Sequence, residues 1–408
     1  MIRGDWAGMT WDQYREALRD VPLPAALVNL NAFEKNVDLI AAMVRRAGKT
    51  LRVASKSLRC PYLLRQVVDR APDVMKGVMS FACEEAEFLA GAGFDDFLVA
   101  YPSVQPSDLE CLVRLTKKRK TVALVVDCKE HIDALSRAGR AAKVELRACL
   151  DVDASYRPAH GRLHVGVRRS PLRDERAAVE LARYARQAGG VRIAGVMMYE
   201  AHIAGLPDAN PFSPAMNPLR RLIKTLAKPE LKTLRRRVAQ ALAAEGVELE
   251  FLNGGGTGSL DWTPGDSSVT EVTAGSGFPC SHLFSYFRGV KLTPAAFFAL
   301  QAVRASDAGF VTCHGGGYVA SGEAGADKLP APFLPEGLSL IDREGAGEVQ
   351  TPLVVGKGAP QIRLGDPILF RHAKAGELAE RFNEYLLIRD GRIVGREPTY
   401  RGLGRCFL

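Results

Sequence analysis

The sequence predicts an α/β fold, a (β/α)8 TIM-type barrel followed by a C-terminal antiparallel β domain. From about residue 50 to 280, short apolar runs alternate with longer amphipathic stretches, which is the pattern of parallel β/α units. After about residue 285, Gly, Pro and Asp break the apolar runs and no long helical pattern separates them, as expected for antiparallel strands. The chain has 408 residues, enough for one barrel of about 250 residues and a smaller domain.

We expect three segments along the chain. Residues 1–25 form an N-terminal segment that packs on the β domain, residues 26–284 form the barrel, and residues 285–408 form the β domain. Within the first segment, Thr10 is the expected N-cap of a short helix that reaches Asp20.

Eight apolar runs supply the barrel strands. Between them, segments such as 60–71 and 177–190 place their apolar residues along one helical face. Eight successive units favour a closed barrel, whereas an open dinucleotide-binding sheet would carry a GxGxxG motif after its first strand, and this sequence has none there. The predicted strands are residues 51–55, 77–81, 97–101, 121–126, 144–150, 192–199, 249–253 and 269–274.

Composition and charge argue against several classes of partner. Lys and Arg number 55 against 46 Asp and Glu, a net charge of +9. The densest basic run, Arg235 to Arg237, lies in a helical stretch, and we interpret it as a solvated helix face rather than a nucleic-acid patch. No apolar window reaches the roughly 18 residues of a membrane span, and the N-terminus lacks a signal-peptide core. With eight scattered cysteines and no CxxC pair, we expect a cytoplasmic protein with reduced thiols and no nucleic-acid or membrane partner.

Two glycine-rich loops follow the last two barrel strands, at the end of the barrel where chemistry collects. The seventh strand runs into residues 253–258, NGGGTG, and the eighth into residues 274–277, AGSG. Their backbone N–H groups can converge on an anion, and Thr257 and Ser276 add hydroxyl donors. A tight turn explains the first loop alone almost as well, but the two loops together predict a phosphate site.

Lys56 follows the first barrel strand and is the candidate nucleophile. A lysine desolvated at a strand end has a lowered pKa and can form a Schiff base with a carbonyl. Taken alone, it could equally be a lysine whose ammonium reaches solvent at the barrel rim. Together with a phosphate site across the same mouth, it predicts pyridoxal 5′-phosphate (PLP) as the cofactor, because PLP needs both groups.

The segments that carry a family resemblance run from residue 23 to residue 280. They are LPAALVNLNAFEKNV, RVASKSLRCPYL, FDDFLVAYP, GVMMYEAHI, FLNGGGTGS and TEVTAGSG. In this order they resemble the fold type III (alanine racemase-like) PLP enzymes, and most closely their D-threonine aldolase and D-serine dehydratase branch. A weaker likeness continues over the C-terminal β domain.

The resemblance implies which residues hold the cofactor. Lys56 would carry the Schiff base, Tyr199 would flank the pyridine ring, and His202 would lie nearby. The residues expected around the phosphate and the ring also include Asn253, Gly255, Gly256, Thr257, Gly275, Ser276 and Gly277.

One expected contact departs from the family pattern. Family members place an arginine against the ring hydroxyl, whereas this chain reads GRLHVGVRR in that region. The resemblance therefore leaves His164, Arg162 or Arg168 as the candidate partner of that hydroxyl.

A second departure concerns a metal. The aldolase and dehydratase branch resembled here binds a divalent metal through a His-x-Asp or His-x-Cys pair, but this chain has His372 followed two residues later by Lys374. An ammonium repels a dication and one imidazole is a poor site, so we expect no metal and assign work on the substrate's β-hydroxyl to His372 or Lys374. Alternatively, Glu377 and Glu380 rebuild a metal site with His372.

The predicted function is that of a PLP-dependent lyase acting on a β-hydroxy D-amino acid, by aldol cleavage or by dehydration and deamination. One alternative is a PLP-dependent amino-acid racemase, which needs two bases on opposite faces of Cα. Another is a non-catalytic PLP-binding protein, against which the C-terminal β domain argues. The resemblance also implies a homodimer in which the partner's β domain closes the site.

Overall fold

Parallel strands close into a barrel in the computed structural model, which describes residues 9–159, 161–306, 309–323 and 325–408. Neighbouring barrel strands pair in chain order, and the last pairs with the first. The predicted (β/α)8 barrel is thereby confirmed. Numbered from the N-terminus, its strands are β2 Thr50–Ala54, β3 Met75–Ser80, β4 Phe97–Val99, β5 Val122–Val126, β6 Leu146–Asp151, β7 Val191–Met198, β8 Phe251–Gly254 and β9 Glu271–Ala274.

Helices precede the strands or connect them. They are α1 Trp11–Ala17, α2 Leu30–Arg46, α3 Pro61–Arg70, α4 Cys83–Gly91, α5 Pro106–Lys117, α6 Lys129–Ala142, α7 Glu175–Ala188, α8 Ala201–Ala204 and α9 Asn217–Ala244. Side chains fix some of their first turns: Asn29 caps α2 and Asp174 caps α7 by accepting backbone N–H groups. None of the described helices is long and apolar enough to cross a membrane.

A second sheet contains the C-terminal strands, in the order β13-β14-β11-β10-β1-β16-β17, with β15 pairing with β10 and β12. Its pairing is antiparallel except between β1 and β16, which confirms the predicted antiparallel β region. Its strands are β1 Ala25–Asn29, β10 Ala296–Ser306, β11 Phe310–His314, β12 Ala331–Leu334, β13 Leu338–Leu340, β14 Gln350–Val355, β15 Pro367–Arg371, β16 Glu384–Arg389 and β17 Arg392–Pro398.

Strand β1 lies in the second sheet, although the predicted barrel segment starts at residue 26. It pairs antiparallel with β10 and parallel with β16, and all of its residues are buried. The barrel is already closed by its own strands, so this buried strand finds hydrogen-bond partners on both edges in the C-terminal sheet. The first barrel strand is therefore Thr50–Ala54, and the division after residue 284 stays a proposal.

Helix α1 packs on the second sheet. The Thr10 hydroxyl caps it as predicted, by accepting a backbone N–H of the first turn. Trp11 Nε1 donates a hydrogen bond to the carbonyl of Pro367 at 2.8 Å, which ties the helix to β15. Residues 1–8 of the predicted N-terminal segment lie outside the described residues.

The C-terminal region reaches the barrel mouth through a turn at Gly376–Glu380, which packs on the turn Ser55–Ser57. The approach is so close that a Cβ on its glycine would lie 1.6 Å from the carbonyl oxygen of Lys56. Arg59 joins the two turns, donating from Nε to the Lys56 carbonyl at 3.1 Å and from Nη1 to Glu380 at 2.6 Å. The C-terminal region thereby holds the backbone that carries Lys56.

Candidate active site

Lys56 stands at the barrel mouth, in the short turn that follows β2. Its side chain is exposed, and Nζ donates a hydrogen bond to the phenol oxygen of Tyr101 at 2.8 Å. Nζ also lies 5.5 Å from the centre of the Tyr101 ring. The candidate lysine is therefore at the strand end, as expected, but it is exposed rather than desolvated and its partner is a tyrosine.

Three further side chains act at the mouth that were given no role from the sequence: Tyr101, Asp151 and Arg169. Burial raises the pKa of Tyr101, but the Lys56 ammonium and Arg169 outweigh it, so the net shift is downward. Burial and the Asp127 carboxylate raise the pKa of Asp151 to about 7 against the influence of Arg169. Position at a strand end was an available signal for Tyr101 and Asp151, whereas Arg169 lies in a long loop that offers none.

The two glycine-rich loops form a cradle at the barrel mouth, in which glycine allows close packing. Gly255 has φ of +88°, in the left-handed region that favours glycine. A Cβ on Gly256 would lie 3.2 Å from the Tyr199 ring, and one on Gly275 would lie 2.6 Å from the Ser57 hydroxyl. Glycine at these two positions therefore lets the loop backbone pack closely against Tyr199 and Ser57.

Hydroxyl groups surround this cradle. The Ser57 and Ser276 hydroxyl oxygens are 3.2 Å apart, and Thr257 Oγ1 accepts the Gly277 N–H at 2.9 Å. Ser57 adjoins Lys56 in sequence, but no sequence argument singled it out. The N–H groups of Gly255 and Gly277 already donate to Glu200 and Thr257. The three hydroxyls are donors that a phosphate can use, so the residues present fit that group.

A buried ion pair supports the first glycine loop. Arg235 Nη2 donates to Glu200 Oε2 at 2.6 Å, and both side chains are fully buried. The same Oε2 accepts the Gly255 N–H at 3.0 Å, and Oε1 accepts the Ser259 hydroxyl at 3.0 Å. Burial raises the pKa of Glu200, but the Arg235 charge and these hydrogen bonds outweigh it, so the pKa is lowered. The carboxylate thus fixes the loop at its positive-φ glycine.

The prediction that the basic run faces solvent is wrong for Arg235. We expected the run from Arg235 to Arg237 to face solvent, but only Arg236 and Arg237 are exposed. Arg235 lies on the inward face of α9 and also reaches Asp266 at 3.3 Å, so two buried carboxylates neutralise it. A Cβ on Gly254 would lie 2.6 Å from its Nη2, which explains why glycine precedes the loop.

Asn253 is buried within the barrel, before the glycines. Its Nδ2 donates to Glu271 Oε1 and to Thr273 Oγ1, both at 2.8 Å. Glu271 in turn accepts Arg52 Nε at 2.7 Å. Since both amide hydrogens are used here, Asn253 supports the barrel interior, and its contact with the cofactor stays a prediction.

Tyr199 and His202 follow β7 and border the cradle and its loop. Burial and the neighbouring Glu200 raise the pKa of Tyr199 to about 12, so it stays a neutral phenol. His202 is buried and stacks on Tyr156 with 6.5 Å between ring centres. Neither of its ring nitrogens has a hydrogen-bond partner among the described residues, and burial lowers the pKa of His202 to about 4. It is therefore a neutral imidazole with unused polar atoms.

The candidates for the ring hydroxyl lie in the loop after β6. Arg162 and Arg168 are exposed, and His164 Nε2 lies 3.2 Å from a backbone carbonyl of its own loop. Arg169 is also exposed, but its charge is among those that lower the pKa of Tyr101 against burial. This makes Arg169 a further candidate.

His372 and Lys374 lie between β15 and the turn that packs on Lys56. His372 is buried, and in the described part of the chain neither ring nitrogen has a hydrogen-bond partner. Burial lowers the pKa of His372 to about 3, so the imidazole is neutral. Lys374 Nζ donates to the Ser321 hydroxyl at 3.0 Å, and the Ser321 N–H donates to Glu377 at 2.9 Å. Lys374, not His372, carries the positive charge here.

The alternative metal site of His372, Glu377 and Glu380 is not formed. Glu377 is held by Ser321, and Glu380 pairs with Arg59 at 2.6 Å. With an ammonium two residues from the histidine, the donors present do not fit a dication. Within the described ranges, a single group of three potential metal ligands lies close together, and it follows β5 and includes neither His372 nor Lys374: Asp127, Cys128 and His131.

Sequence comparison identifies relatives over the barrel. The profile of the family described as alanine racemase, N-terminal domain, matches residues 28–276. A D-threonine aldolase of an Arthrobacter species is 25% identical over 262 residues, which are 64% of this chain and 62% of that protein. A 3-hydroxy-D-aspartate aldolase of Paracoccus denitrificans is 25% identical over 265 residues, which are 63% of this chain and 60% of that protein. The chain thus covers less than two thirds of the length of these relatives.

Structural comparison extends the likeness to the whole fold. The D-threonine aldolase from Filomicrobium marinum superposes with a TM-score of 0.79 and 23% identity, covering 94% of this chain and 96% of that one. The alanine racemase of Clostridium difficile 630 is more distant, with a TM-score of 0.61 and 12% identity. The barrel and the second sheet therefore form one shared architecture.

Proposed function

This chain belongs to the family of the alanine racemase N-terminal domain, and on that premise we propose that it is a PLP-dependent lyase acting on a β-hydroxy D-amino acid. The observation that carries the proposal is the position of Lys56 and two glycine-rich loops around one barrel mouth. The relatives named as aldolases of D-threonine and 3-hydroxy-D-aspartate support the substrate class.

The family uses PLP, and residues of this chain fit that cofactor. Lys56 would attach it through the side-chain amine. Ser57, Thr257, Ser276 and the backbone at Gly275 would hold its phosphate in the cradle between the loops. When bound, PLP takes up the electron pair left on the substrate's Cα as a bond there breaks.

The other groups at the mouth would orient the reactants and hold protons. Arg169 would offer its guanidinium to the ring hydroxyl, and Tyr199 would lie beside the ring. Asp151, whose pKa of about 7 follows from burial and a neighbouring carboxylate, can hold or release a proton near neutral pH. These roles need no side chain beyond those already gathered at the carboxyl ends of the strands.

Lys374 is the group we assign to the substrate's β-hydroxyl. Its segment leads directly into the turn that packs on Lys56, which carries it toward the same mouth. Ser321 and Glu377 hold the ammonium through consecutive hydrogen bonds, so its charge is fixed in position. His372, as a neutral imidazole, can accept a proton but adds no charge.

A homodimer in the cytoplasm is part of the same proposal. The family resemblance supports the dimer. The cysteines of the described chain are free thiols, most of them buried, which supports a reducing compartment.

Turnover of a matched substrate panel tests the proposed function. Protein loaded with PLP is incubated with the D and L forms of threonine, 3-hydroxyaspartate and serine, and the products are separated. We expect only D substrates to be consumed, giving glycine and an aldehyde by aldol cleavage, or a 2-oxo acid and ammonia by dehydration. Interconversion of enantiomers without either product would favour a racemase, and binding without turnover would favour a non-catalytic PLP protein.

We expect turnover to be insensitive to chelators, because the Lys374 ammonium stands where a second metal ligand would be. Lys374→Asp creates a His-x-Asp pair, so this variant should lose activity in chelator and regain it with a divalent metal. Lys374→Ala is the matched control, which should lose activity that metal does not restore. Activity and metal content after dialysis measure both effects, and a stoichiometric dication retained by the parent protein would contradict the assignment.

A further inference from the structure

The hydrogen bond between Lys56 and Tyr101 joins an amine to a phenol at the barrel mouth. The two groups come from different barrel strands, since Lys56 follows β2 and Tyr101 lies just after β4. The distance from Nζ to the phenol oxygen is 2.8 Å, short enough for direct proton transfer. Tyr101 is half-buried, whereas Lys56 is exposed. The phenol therefore lies in the medium of lower dielectric constant, and the amine faces solvent.

We propose that Tyr101 is the acid–base partner of Lys56: its phenol oxygen takes a proton from Nζ when the amine must act as a nucleophile, and returns that proton when the amine leaves. This inference rests on the proposed function. The step converts an ammonium and a phenolate into an amine and a phenol, and the reverse step restores them. No electrons are lost and no third reactant is needed.

The surroundings favour such an exchange. The charges that lower the pKa of the Tyr101 phenol most are those of Lys56, Arg169 and Arg59, and all three are cationic. The neighbouring Tyr199 also interacts with this phenol and stays neutral. The three cations stabilise a phenolate, which burial alone would disfavour. Removing the proton from Nζ then turns an ion pair into a neutral pair, and a half-buried site tolerates a neutral pair at little cost.

Tyr101 and Tyr199, the second tyrosine near the cradle, differ in the charges that surround them. Burial and the negative charge of Glu200 raise the pKa of Tyr199 to about 12, so Tyr199 stays protonated and lines the cradle. Tyr101 is thus the tyrosine at the mouth whose surroundings favour proton transfer.

Two measurements on Tyr101→Phe test the proposal, with Tyr184→Phe as the matched control. Tyr184 also makes a phenol hydrogen bond, to Asp133 at 2.7 Å, but on the outer helices. The first measurement is an ultraviolet titration of tyrosine ionisation in the protein without cofactor. We expect a phenol that ionises below the ordinary tyrosine range, absent from Tyr101→Phe, shifted upward in Lys56→Ala and retained in Tyr184→Phe.

The second measurement is the rate at which a D-amino acid changes the near-visible absorbance of the PLP-loaded protein. Tyr101→Phe should slow this step about 100-fold, a typical contribution of general acid–base catalysis, with unchanged affinity for PLP. An unchanged rate, or an unchanged titration in Tyr101→Phe, would overturn the proposal. If the parent protein has no absorbance that depends on Lys56, the proposed function fails instead, and the titration still decides whether Tyr101 and Lys56 are coupled.

Discussion

We expect the near-visible absorbance of Lys56→Ala loaded with PLP to change from that of the parent protein to that of unattached PLP. We also expect this variant to turn over D-β-hydroxy amino acids about 1000-fold more slowly. The amine is the group that attaches the cofactor, and its hydrogen-bond partner, Tyr101, cannot replace it because a phenol forms no such attachment. Absorbance spectra and turnover of the matched substrate panel measure the two effects.

The same substitution should leave the fold intact. Lys56 is exposed, and it is the carbonyl of Lys56 that accepts Arg59 and lies against the C-terminal turn. The free energy of unfolding should therefore change by less than about 0.5 kcal/mol, as measured by urea denaturation. Lys76→Ala, which removes an exposed lysine paired with Asp96 at 3.6 Å, is the control and should keep the absorbance. Cofactor that remains covalently attached to Lys56→Ala after borohydride reduction would mean that another lysine attaches it.

Arg235→Leu should lower the free energy of unfolding by about 3–5 kcal/mol, because it leaves Glu200 and Asp266 buried without their shared cation. The glycine loop should also lose its fixed position, since the Glu200 carboxylate holds the Gly255 N–H. We therefore expect weaker binding of PLP as well. Urea denaturation and titration with PLP measure the two losses separately.

The pH dependence of stability gives a second test of this ion pair. In the parent protein the pKa of Glu200 is lowered, so its contribution is present above the unfolded carboxyl pKa and is lost as pH falls through the folded value. In Arg235→Leu the carboxyl is buried without a cation, so its pKa rises and stability should fall as pH rises. Arg236→Leu, an exposed neighbour, is the control and should change stability by less than about 0.5 kcal/mol. A similarly small change in Arg235→Leu would contradict the supporting role.

The barrel could be predicted because its signal is local and repeated. Each strand is a short apolar run, and each helix spaces its apolar residues along one face. Strand β1 has the same local signal, but its place depends on pairing with Tyr385 to Ile388, far along the chain. Local pattern predicts that such a strand exists, and it does not say which sheet receives it.

The candidate site was predictable where backbone geometry dominates. The glycines beside Thr257 and Ser276 can be read directly from the sequence, and they predicted the two loops of the cradle. Arg235 could not be recognised in this way, because it looks like its two basic neighbours and differs only through carboxylates brought close by the fold. Tyr101 could be placed at a strand end from the sequence, but its chemistry follows from the lysine at the end of another strand.

The pairing of β1 with β16 constrains the order in which the protein can fold during its synthesis. Val28 leaves the ribosome well before its partner Leu387, which lies far along the chain. The barrel strands are synthesised between them, so the barrel can begin to close while β1 still lacks one neighbour. The turn that packs on Lys56 is likewise synthesised after all of the barrel strands. A nascent chain therefore cannot complete this mouth until the turn at Gly376–Glu380 has left the ribosome.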